Sequence, residues 1–261
     1  LIVHTDFYPQ EKDEVFRAVT TVKEQNSIVV YATGYAAACH DNLTAILAKY
    51  DSKGQLMWSK ILSSENKMNN SAGTSVLILN DFIYVTGFIS ANEKAKQFDS
   101  LPLKPTLWKY DSSGNQLWVK TFEASLNSGD KVDAAASGNH LYLTTTKKGT
   151  EASASHILFL KINESGELVW ENFWEVKVSD SNPAKSGRAQ SIAAGEDRLY
   201  VAGSVIYKKK HGGGADEDGF LLEVDKDYGS VLGVHVLGKN DSVENSLAVT
   251  ALDSDVYVAG T

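Results

Sequence analysis

Short runs in which apolar and polar residues alternate recur along the whole chain, for example Ser75–Ile78 and Ser191–Ala194. A period of two over a few residues is typical of β-strands with one buried face. Each such run precedes a phrase with an apolar residue, a tyrosine, small residues and usually glycine. The phrase tyrosines are Tyr31, Tyr84, Tyr142, Tyr200 and Tyr257, so successive copies lie 53, 58, 58 and 57 residues apart. This near-constant period predicts a repeat architecture.

A second phrase lies between the tyrosine phrases and predicts a hairpin in each repeat. Its copies are Leu47–Lys60, Leu107–Lys120, Phe159–Trp170 and a weaker Leu222–Leu232. In each copy an Asp or Asn opens a tight reversal and a glycine supplies positive φ between two apolar runs. Two strands from this phrase, and two from the tyrosine phrase with its alternating run, give four strands per period. That arithmetic is typical of a propeller blade.

The phrases resemble the bacterial SBBP-type β-propeller repeat, whose units read roughly apolar-Ala-Lys-apolar-Asp-x-x-Gly-x-x-x-Trp and later Val-Tyr-Val-Thr-Gly. The resemblance covers nearly the whole chain, and the first, second and fourth repeats match best. Two positions depart from it: Thr145 stands where glycine is usual, and Gly233 lies near the expected tryptophan. The resemblance implies a propeller scaffold and an extracellular, periplasmic or cell-surface location. It implies no reaction.

We therefore expect an all-β, five-bladed β-propeller with four-stranded antiparallel blades and a single domain over residues 1–261. The last blade is expected to be shared by both termini, with strands from Ser246–Thr261 and an outer strand from Leu1–Phe7. Its third strand has no residues in this sequence. An unpaired strand edge recruits a partner, so we expect sequence beyond Thr261, residues before Leu1 or another chain to supply that strand.

Composition narrows the classes of partner. The net charge of −8 disfavours nucleic acid, which needs a basic footprint, and no apolar stretch is long enough for a membrane span. The basic run Lys208–His211 is interpreted as a solvated loop, with a phosphate or anionic-glycan contact as the alternative. Cys39 is the single cysteine, so no disulfide forms within the chain.

Individual chemical motifs are weak. The six histidines are scattered and predict no metal site, and no nucleotide-binding or nucleophile motif indicates a cofactor. The acidic run Asp216–Gly219 is interpreted as a plain turn rather than a calcium loop. The tryptophans at one repeat position are interpreted as structural wedges between blades, and the two others as packing residues. The wedges are Trp58, Trp118 and Trp170, and the packing residues are Trp108 and Trp174.

Loop lengths predict where a ligand binds. The links from second to third strands and from fourth to first strands are long and would emerge on one face; the former are Ala36–Leu43, Ile89–Leu103, Lys147–Ser155 and Val205–Glu217. Polar residues at the starts of the innermost strands are candidate ligand-binding residues beside them. These are Asp13, Arg17, Asn70, Thr74, Asp130, Asp133, Arg188, Gln190, Glu244 and Asn245. The alternative is that they hydrate and pair with one another around a channel.

Three functions remain open. The first is a non-enzymatic module that binds a protein or glycan through the long-loop face, favoured because no catalytic constellation is visible. The second is a glycoside hydrolase or lyase of the five-bladed type, with Asp13, Asp133 and Glu244 as its carboxylates. The third is a purely structural propeller within a larger assembly. A carboxylate pair within about 5 to 10 Å across a pocket would favour catalysis, and dispersed carboxylates would favour binding or structure.

Overall fold

A computed structural model describes residues 14–24, 26–37, 43–62, 70–90, 103–126, 130–148, 155–176, 186–208, 215–238, 246–252 and 255–261. Contacts group the chain into two compact units, Leu1–Ser128 and Gly129–Thr261. The single domain over the whole chain stays a prediction. Across the described ranges no helix is long and apolar enough to cross a membrane.

The first unit contains two four-stranded antiparallel sheets whose strands are joined in sequence order. Sheet 1 consists of β1 (Glu14–Glu24), β2 (Ser27–Ala37), β3 (Leu43–Tyr50) and β4 (Leu56–Ile61). Sheet 2 consists of β5 (Ser71–Leu79), β6 (Phe82–Ser90), β7 (Leu103–Tyr110) and β8 (Gln116–Thr121). In both sheets the second strand contains a copy of the tyrosine phrase, and the third and fourth strands form the predicted hairpin.

The second unit repeats this arrangement. Sheet 3 consists of β9 (Asp133–Ser137), β10 (His140–Lys148), β11 (Ser155–Asn163) and β12 (Leu168–Glu175). Sheet 4 consists of β13 (Ser186–Ala194), β14 (Arg198–Lys208), β15 (Ala215–Asp225) and β16 (Val231–Leu237). Sheet 5 has two described strands, β17 (Ser246–Leu252) and β18 (Asp255–Gly260).

The predicted all-β class and four-stranded antiparallel sheets are confirmed and are consistent with a propeller. The described residues do not fix five complete blades, because sheet 5 contributes two strands. Residues Leu1–Phe7 and most of the long links, including 38–42, 91–102 and 149–154, lie outside the described residues.

One predicted loop and one predicted turn are wrong. The Val205–Glu217 link is shorter than expected because β14 runs to Lys208 and pairs with Ala215, the first residue of β15. The acidic run Asp216–Gly219 therefore lies within a strand. Backbone pairing with β14, together with the hydrogen bond that the Ser204 hydroxyl donates to Glu217 Oε1 at 2.6 Å, holds these polar residues extended.

The core of each unit lies between consecutive sheets. In the first unit the third strand of sheet 2 contributes Trp108 and Tyr110, which are buried against Tyr31 and Leu47 of sheet 1. In the second unit β15 of sheet 4 contributes Phe220, Leu222 and Val224 in the same way, against sheet 3. The predicted packing roles of Trp108, which is fully buried, and Trp174, whose ring contacts Phe220 at 5.5 Å, are confirmed.

The glycine that closes the tyrosine phrase is required by a β-bulge in the neighbouring strand rather than by a turn. In sheet 2 the register shifts between Gly73 and Ser75, and Gly87 lies opposite the shift. A Cβ on Gly87 would lie 1.9 Å from the Ala72 carbonyl oxygen. A Cβ on Gly34 would likewise lie 1.8 Å from a carbonyl oxygen of the neighbouring strand, and a Cβ on Gly203 would lie 2.0 Å from one. A bulge bends its strand and so brings backbone close to this position.

Sheet 3 departs from this rule at both members of the pair. β9 begins at Asp133, which pairs with Thr144, so the β9–β10 pairing ends before the position of the bulge, and Thr145 stands where the other copies have glycine. The Thr145 hydroxyl donates a hydrogen bond to the Lys131 carbonyl at 2.8 Å. The departure seen in the sequence is therefore accommodated by a first strand that begins later than in the other sheets.

Substituting Gly87 with alanine is expected to destabilise the protein by about 2 kcal/mol or more, because the new methyl group overlaps a backbone carbonyl that cannot rotate away. Urea unfolding followed by tryptophan fluorescence measures this. Gly233→Ala is the matched control, since a Cβ there meets its nearest atom at 3.5 Å, and it should change stability by less than about 0.5 kcal/mol. Equal effects of the two substitutions would contradict the steric explanation.

Candidate functional site

The strongest recurring constellation is a row of three side chains across strands two, three and four, here called the ladder. Its members face one another in register and therefore share one face of the sheet. The ladders are Tyr31–Lys49–Trp58 in sheet 1, Tyr84–Lys109–Trp118 in sheet 2 and Tyr142–Lys161–Trp170 in sheet 3.

Each ladder lysine is buried, with 5, 7 and 8% of Lys49, Lys109 and Lys161 exposed. Burying an ammonium group is costly unless its charge is compensated. Here the Nζ atoms lie over the ladder tyrosine rings, 5.3, 5.1 and 5.6 Å from the ring centroids, and Lys109 Nζ is also 3.9 Å from the Phe82 centroid. Aromatic faces attract cations most strongly when water is excluded.

Two of the lysines also bind the hairpin turn of the following sheet. Lys49 Nζ donates to the Ser112 carbonyl at 3.4 Å, and Lys161 Nζ donates to the Lys226 carbonyl at 3.0 Å. Beside Lys49 the Trp58 ring lies against Gly114 in the turn of sheet 2, and beside Lys161 the Trp170 ring lies against Gly229 in the turn of sheet 4. The prediction that these tryptophans act as wedges between sheets is confirmed for Trp58 and Trp170.

A cleft opens beside the sheet 1 ladder among the short turns of the first unit. It has a volume of about 400 Å³ and is lined by Val22, Lys23, Glu24, Tyr31, Ile78, Asp81, Ile83 and Ser112. Inside it the Tyr31 hydroxyl donates to Glu24 Oε1 at 2.5 Å, and Lys49 Nζ donates to Glu24 Oε2 at 2.7 Å. Both oxygens of one carboxylate are therefore occupied by donors from two neighbouring strands.

The electrostatics fix the protonation states in this cleft. Burial alone would raise the pKa of Glu24, but the hydrogen bonds from Lys49 and Tyr31 and the lysine charge outweigh it and lower that pKa. Burial, and then the bond to Glu24, raises the pKa of Tyr31. A carboxylate held ionised beside a phenol held neutral is not poised to exchange protons near neutral pH. The arrangement is suited to holding the first three strands of sheet 1 together.

Sheet 4 carries a different ladder, Tyr200–Glu223–Gly233. Glu223 accepts hydrogen bonds from Arg198 Nη1 and, at 2.7 Å, from His235 Nε2 when that nitrogen carries the proton. Hydrogen bonds from His235 and then from Arg198 lower the pKa of Glu223. In sheet 4 the positively charged side chain, Arg198, therefore lies on the second strand, whereas the ladder lysines of the other three sheets lie on the third strand.

Three of the candidate ligand-binding residues, Asp13, Glu244 and Asn245, lie outside the described residues. Arg17 and Arg188 are exposed on β1 and β13, and the Arg17 guanidinium lies 5.2 Å from the Tyr35 ring centroid. These two side chains remain available to solvent at the strand positions where the sequence placed them.

Four of the other five candidates, Asn70, Thr74, Asp130 and Asp133, are buried. Asn70 Oδ1 accepts a hydrogen bond from the Leu43 amide at 2.8 Å, and Asp133 Oδ2 accepts one from the Ile192 amide at 3.0 Å. Asp133 Oδ1 also lies 3.9 Å from Lys131 Nζ, and Asp130 is buried. Asn70 and Asp133 thus join consecutive sheets. Thr74 is buried too, and Gln190 lies at the bulge of β13.

The sequence interpretation did not single out Glu24, Lys49, Arg198 or Glu223. A signal for the lysines was present, because a lysine recurs two residues before each hairpin Asp or Asn in the first three sheets and becomes Glu223 in the fourth. Glu24 had no such signal, since it belongs to one repeat. Among the described residues no group of three or more His, Cys, Asp and Glu side chains could hold a metal ion.

No family model and no curated protein matches the chain. Among solved structures, a GH43 endo-arabinanase from Bacillus licheniformis is similar at 12% identity and TM-score 0.47, over 97% of this chain and 96% of that chain. A mannose phosphorylase from Leishmania mexicana is similar at 8% identity and TM-score 0.46, over 92% and 78%.

A mutant apocarotenoid oxygenase from Synechocystis is similar at 8% identity and TM-score 0.46, over 90% of this chain and 52% of that chain. The chain thus spans about half the length of the oxygenase structures it matches. At these identities and scores the likenesses assign neither a family nor an activity.

Substituting Lys49 with methionine, which keeps the length of the side chain, is expected to destabilise the protein by about 1 to 3 kcal/mol. The change removes a charge-assisted hydrogen bond and leaves Glu24 with one donor fewer in a partly buried site. Chemical unfolding measures the loss. Lys53→Met, in the exposed turn of the same hairpin, is the matched control and should be nearly neutral. A neutral Lys49→Met would show that the ladder lysine is dispensable.

The Glu24 carboxylate should contribute to the free energy of unfolding at pH values above its ordinary pKa of 4.5, and this contribution should be lost in acid. The pKa of Glu24 is lower in the folded protein than in the unfolded chain, so its contribution is present above the unfolded value and disappears as the pH falls through the folded value. Because the side chain is about one third exposed, we expect Glu24→Gln to cost roughly 1 kcal/mol or less at pH 7 and almost nothing near pH 2 to 3.

Urea titrations across that pH range measure the difference between wild type and variant. Glu123→Gln is the control, because Glu123 forms an ion pair with Lys104 on the surface and such pairs contribute little. A Glu24→Gln deficit that stays constant down to pH 2 would contradict the assignment.

Proposed function

We propose that the chain is a non-enzymatic binding scaffold of the β-propeller class that contacts a protein or glycan ligand through its long-loop face. The proposal extends the four-stranded sheets to five blades in one domain, with the last blade shared by both termini. It includes the resemblance to SBBP repeats and a location outside the cytoplasm. Residues Arg17 and Arg188 would contribute exposed cations near that face.

The observation that supports the proposal is that the buried polar side chains form hydrogen bonds within the fold. Lys49, Lys161, Glu24, Asn70 and Asp133 form hydrogen bonds between strands or between consecutive sheets. These hydrogen bonds satisfy the polar groups within the fold without a substrate. What varies from one repeat to the next is the set of long links, and variable links on a rigid scaffold are where recognition usually resides.

The alternative of a glycoside hydrolase or lyase receives no support from Asp133, the described member of its proposed carboxylate set. That carboxylate accepts a backbone hydrogen bond and lies near a lysine, whereas a general acid needs an environment that keeps it protonated. The structural alternative differs from the binding proposal only in having no ligand.

A glycan array and a pull-down with purified candidate proteins test the binding proposal. We expect a ligand whose affinity falls at least tenfold when residues 91–102 are replaced by a short Gly-Ser linker, because that link is the longest at the proposed face. Ser113→Ala and Lys53→Ala, in the short hairpin turns, are the controls and should leave affinity unchanged. Loss of binding in the turn variants with retention in the link variant would overturn the assignment of the face.

A further inference from the structure

The short turns of the second unit hold an ammonium group in a defined place. Lys226 lies in the turn between β15 and β16. Its Nζ atom donates hydrogen bonds to three acceptors, which are Ser137 Oγ at 2.7 Å, the Gly195 carbonyl at 2.9 Å and the Glu196 carbonyl at 2.8 Å. Ser137 ends β9, and the two carbonyls lie in the turn between β13 and β14. The ammonium group therefore connects the end of β9 with two turns of sheet 4.

Ser112 is the equivalent of Lys226 in the first unit. Each of the two residues directly follows the aspartate that opens its hairpin turn. The carbonyl of each also accepts a hydrogen bond from the ladder lysine of the preceding sheet, from Lys49 at 3.4 Å and from Lys161 at 3.0 Å. The two turns are thus placed alike on the sheets before them. The first unit has a short hydroxyl side chain at the position where the second has a long side chain with an ammonium group.

The cleft of about 400 Å³ in the first unit corresponds to the place of the Lys226 side chain in the second. Its lining includes Glu24 at the end of β1, Asp81 in the turn between β5 and β6, and Ser112 in the turn between β7 and β8. The corresponding elements of the second unit are the end of β9 and the two turns that Lys226 connects. The protein itself therefore places a lysine side chain in one of two equivalent positions.

The cleft offers an ammonium group stronger acceptors than those around Lys226. Its lining contains the carboxylates of Glu24 and Asp81, whereas Lys226 binds one hydroxyl and two carbonyls. Each oxygen of Glu24 accepts one hydrogen bond, and a carboxylate has about four lone-pair sites, so capacity for a further donor remains. About one third of the Glu24 side chain is exposed, so a ligand can reach it. Hydrogen bonds between two charged groups are roughly twice as strong as neutral ones.

The rest of the lining suits an alkyl chain. Val22 and Ile78 are half-buried and line the cleft beside the buried Ile83. Lysine side chains pack their methylene groups on such apolar surface while the ammonium group reaches polar partners. Lys23 also lines the cleft and is exposed. Its positive charge opposes a cationic ligand and would favour an anionic one, so Lys23 provides a test of the sign of the ligand's charge.

We propose that this cleft binds a primary ammonium group at the end of an unbranched alkyl chain, the chemistry of a lysine side chain. The ammonium group binds the Glu24 and Asp81 carboxylates, and the alkyl chain lies against Val22 and Ile78. A free alkylamine and a lysine of another polypeptide share this chemistry. The site lies at the strand ends opposite to the long links, so it is separate from the long-loop face and goes beyond the proposed function.

The test is a titration of the isotope-labelled full chain with n-pentylamine, followed by the NMR chemical shifts of the backbone amides. We expect saturable shifts at the residues that line the cleft, and none with n-pentanol, which has the same alkyl chain without the charge. Failure of the amine to bind, or equal shifts with the alcohol, would overturn the proposal.

A second arm separates the two sources of the ammonium group. It uses a short capped peptide with one lysine and the same peptide with Nε-acetyllysine, which has no charge. Tighter binding of the lysine peptide than of n-pentylamine identifies a polypeptide as the source, and the reverse order identifies a free amine. Equal binding of the acetylated and unmodified peptides would contradict the proposal.

A substitution that fills the cleft from within tests its location. Ser112→Lys should abolish binding of n-pentylamine, because the new side chain can enter the cleft as Lys226 enters the equivalent place. Ser113→Lys adds the same charge to the same exposed turn at a described residue outside the lining, and it should retain binding. Retained binding in Ser112→Lys would overturn the assignment of the site. A ligand of the long-loop face should bind Ser112→Lys with unchanged affinity.

Two further variants test the sign of the charge. Asp81→Asn should weaken binding of n-pentylamine about three- to tenfold, and asparagine tolerates the φ of +64° at this position. Glu123→Gln, which removes an exposed carboxylate elsewhere in the first unit, is its control and should have no effect. Lys23→Gln should strengthen binding by up to about threefold. Weaker binding in Lys23→Gln would indicate an anionic ligand and would overturn the proposal.

Discussion

The structure depends on an ammonium group that each of the first three sheets buries within its ladder. Such a group is tolerated only where partners replace its hydration. Here the partners are the ladder tyrosine ring and, for Lys49 and Lys161, carbonyls of the following turn. The same interaction thus explains why lysine and tyrosine recur together. It also sets where the next turn must lie, because the carbonyls must reach the nitrogen.

Much of the fold follows from local pattern. The alternating runs, the tyrosine phrases and the Asp-to-Gly turns each lie within a few residues, so they predicted the strands and hairpins and also the wedge role of Trp58 and Trp170. In the second hairpin, for instance, the Asp111 carbonyl accepts from the Gly114 amide and φ of Gly114 is +81°. The extension of β15 through an acidic run escaped prediction because cross-strand pairing, rather than side-chain pattern, holds it extended.

The candidate site was harder to predict for a physical reason. Glu24 and Lys49 are 25 residues apart, and Lys49 and Ser112 are 63 apart, so no local pattern connects them. Polar residues at the starts of first strands also gave an ambiguous signal, because water and a neighbouring backbone amide satisfy a carboxylate equally well. Asp133 meets the Ile192 amide while Arg188 remains exposed. Equivalent positions at the starts of first strands therefore have different roles: Asp133 joins two sheets, and Arg188 is exposed to solvent.

The pairing of glycine with bulge has a consequence for how such a chain can be rearranged by recombination. A first strand with a bulge tolerates only glycine opposite it, as at Gly87, whereas β9 begins at Asp133, beside Thr144, and leaves room for Thr145, whose hydroxyl binds the Lys131 carbonyl. Exchanging first strands between repeats would place a carbonyl on top of a side chain. The smallest unit that recombination can exchange is therefore the pair of first and second strands. Crossover points in the links between sheets keep these two strands together.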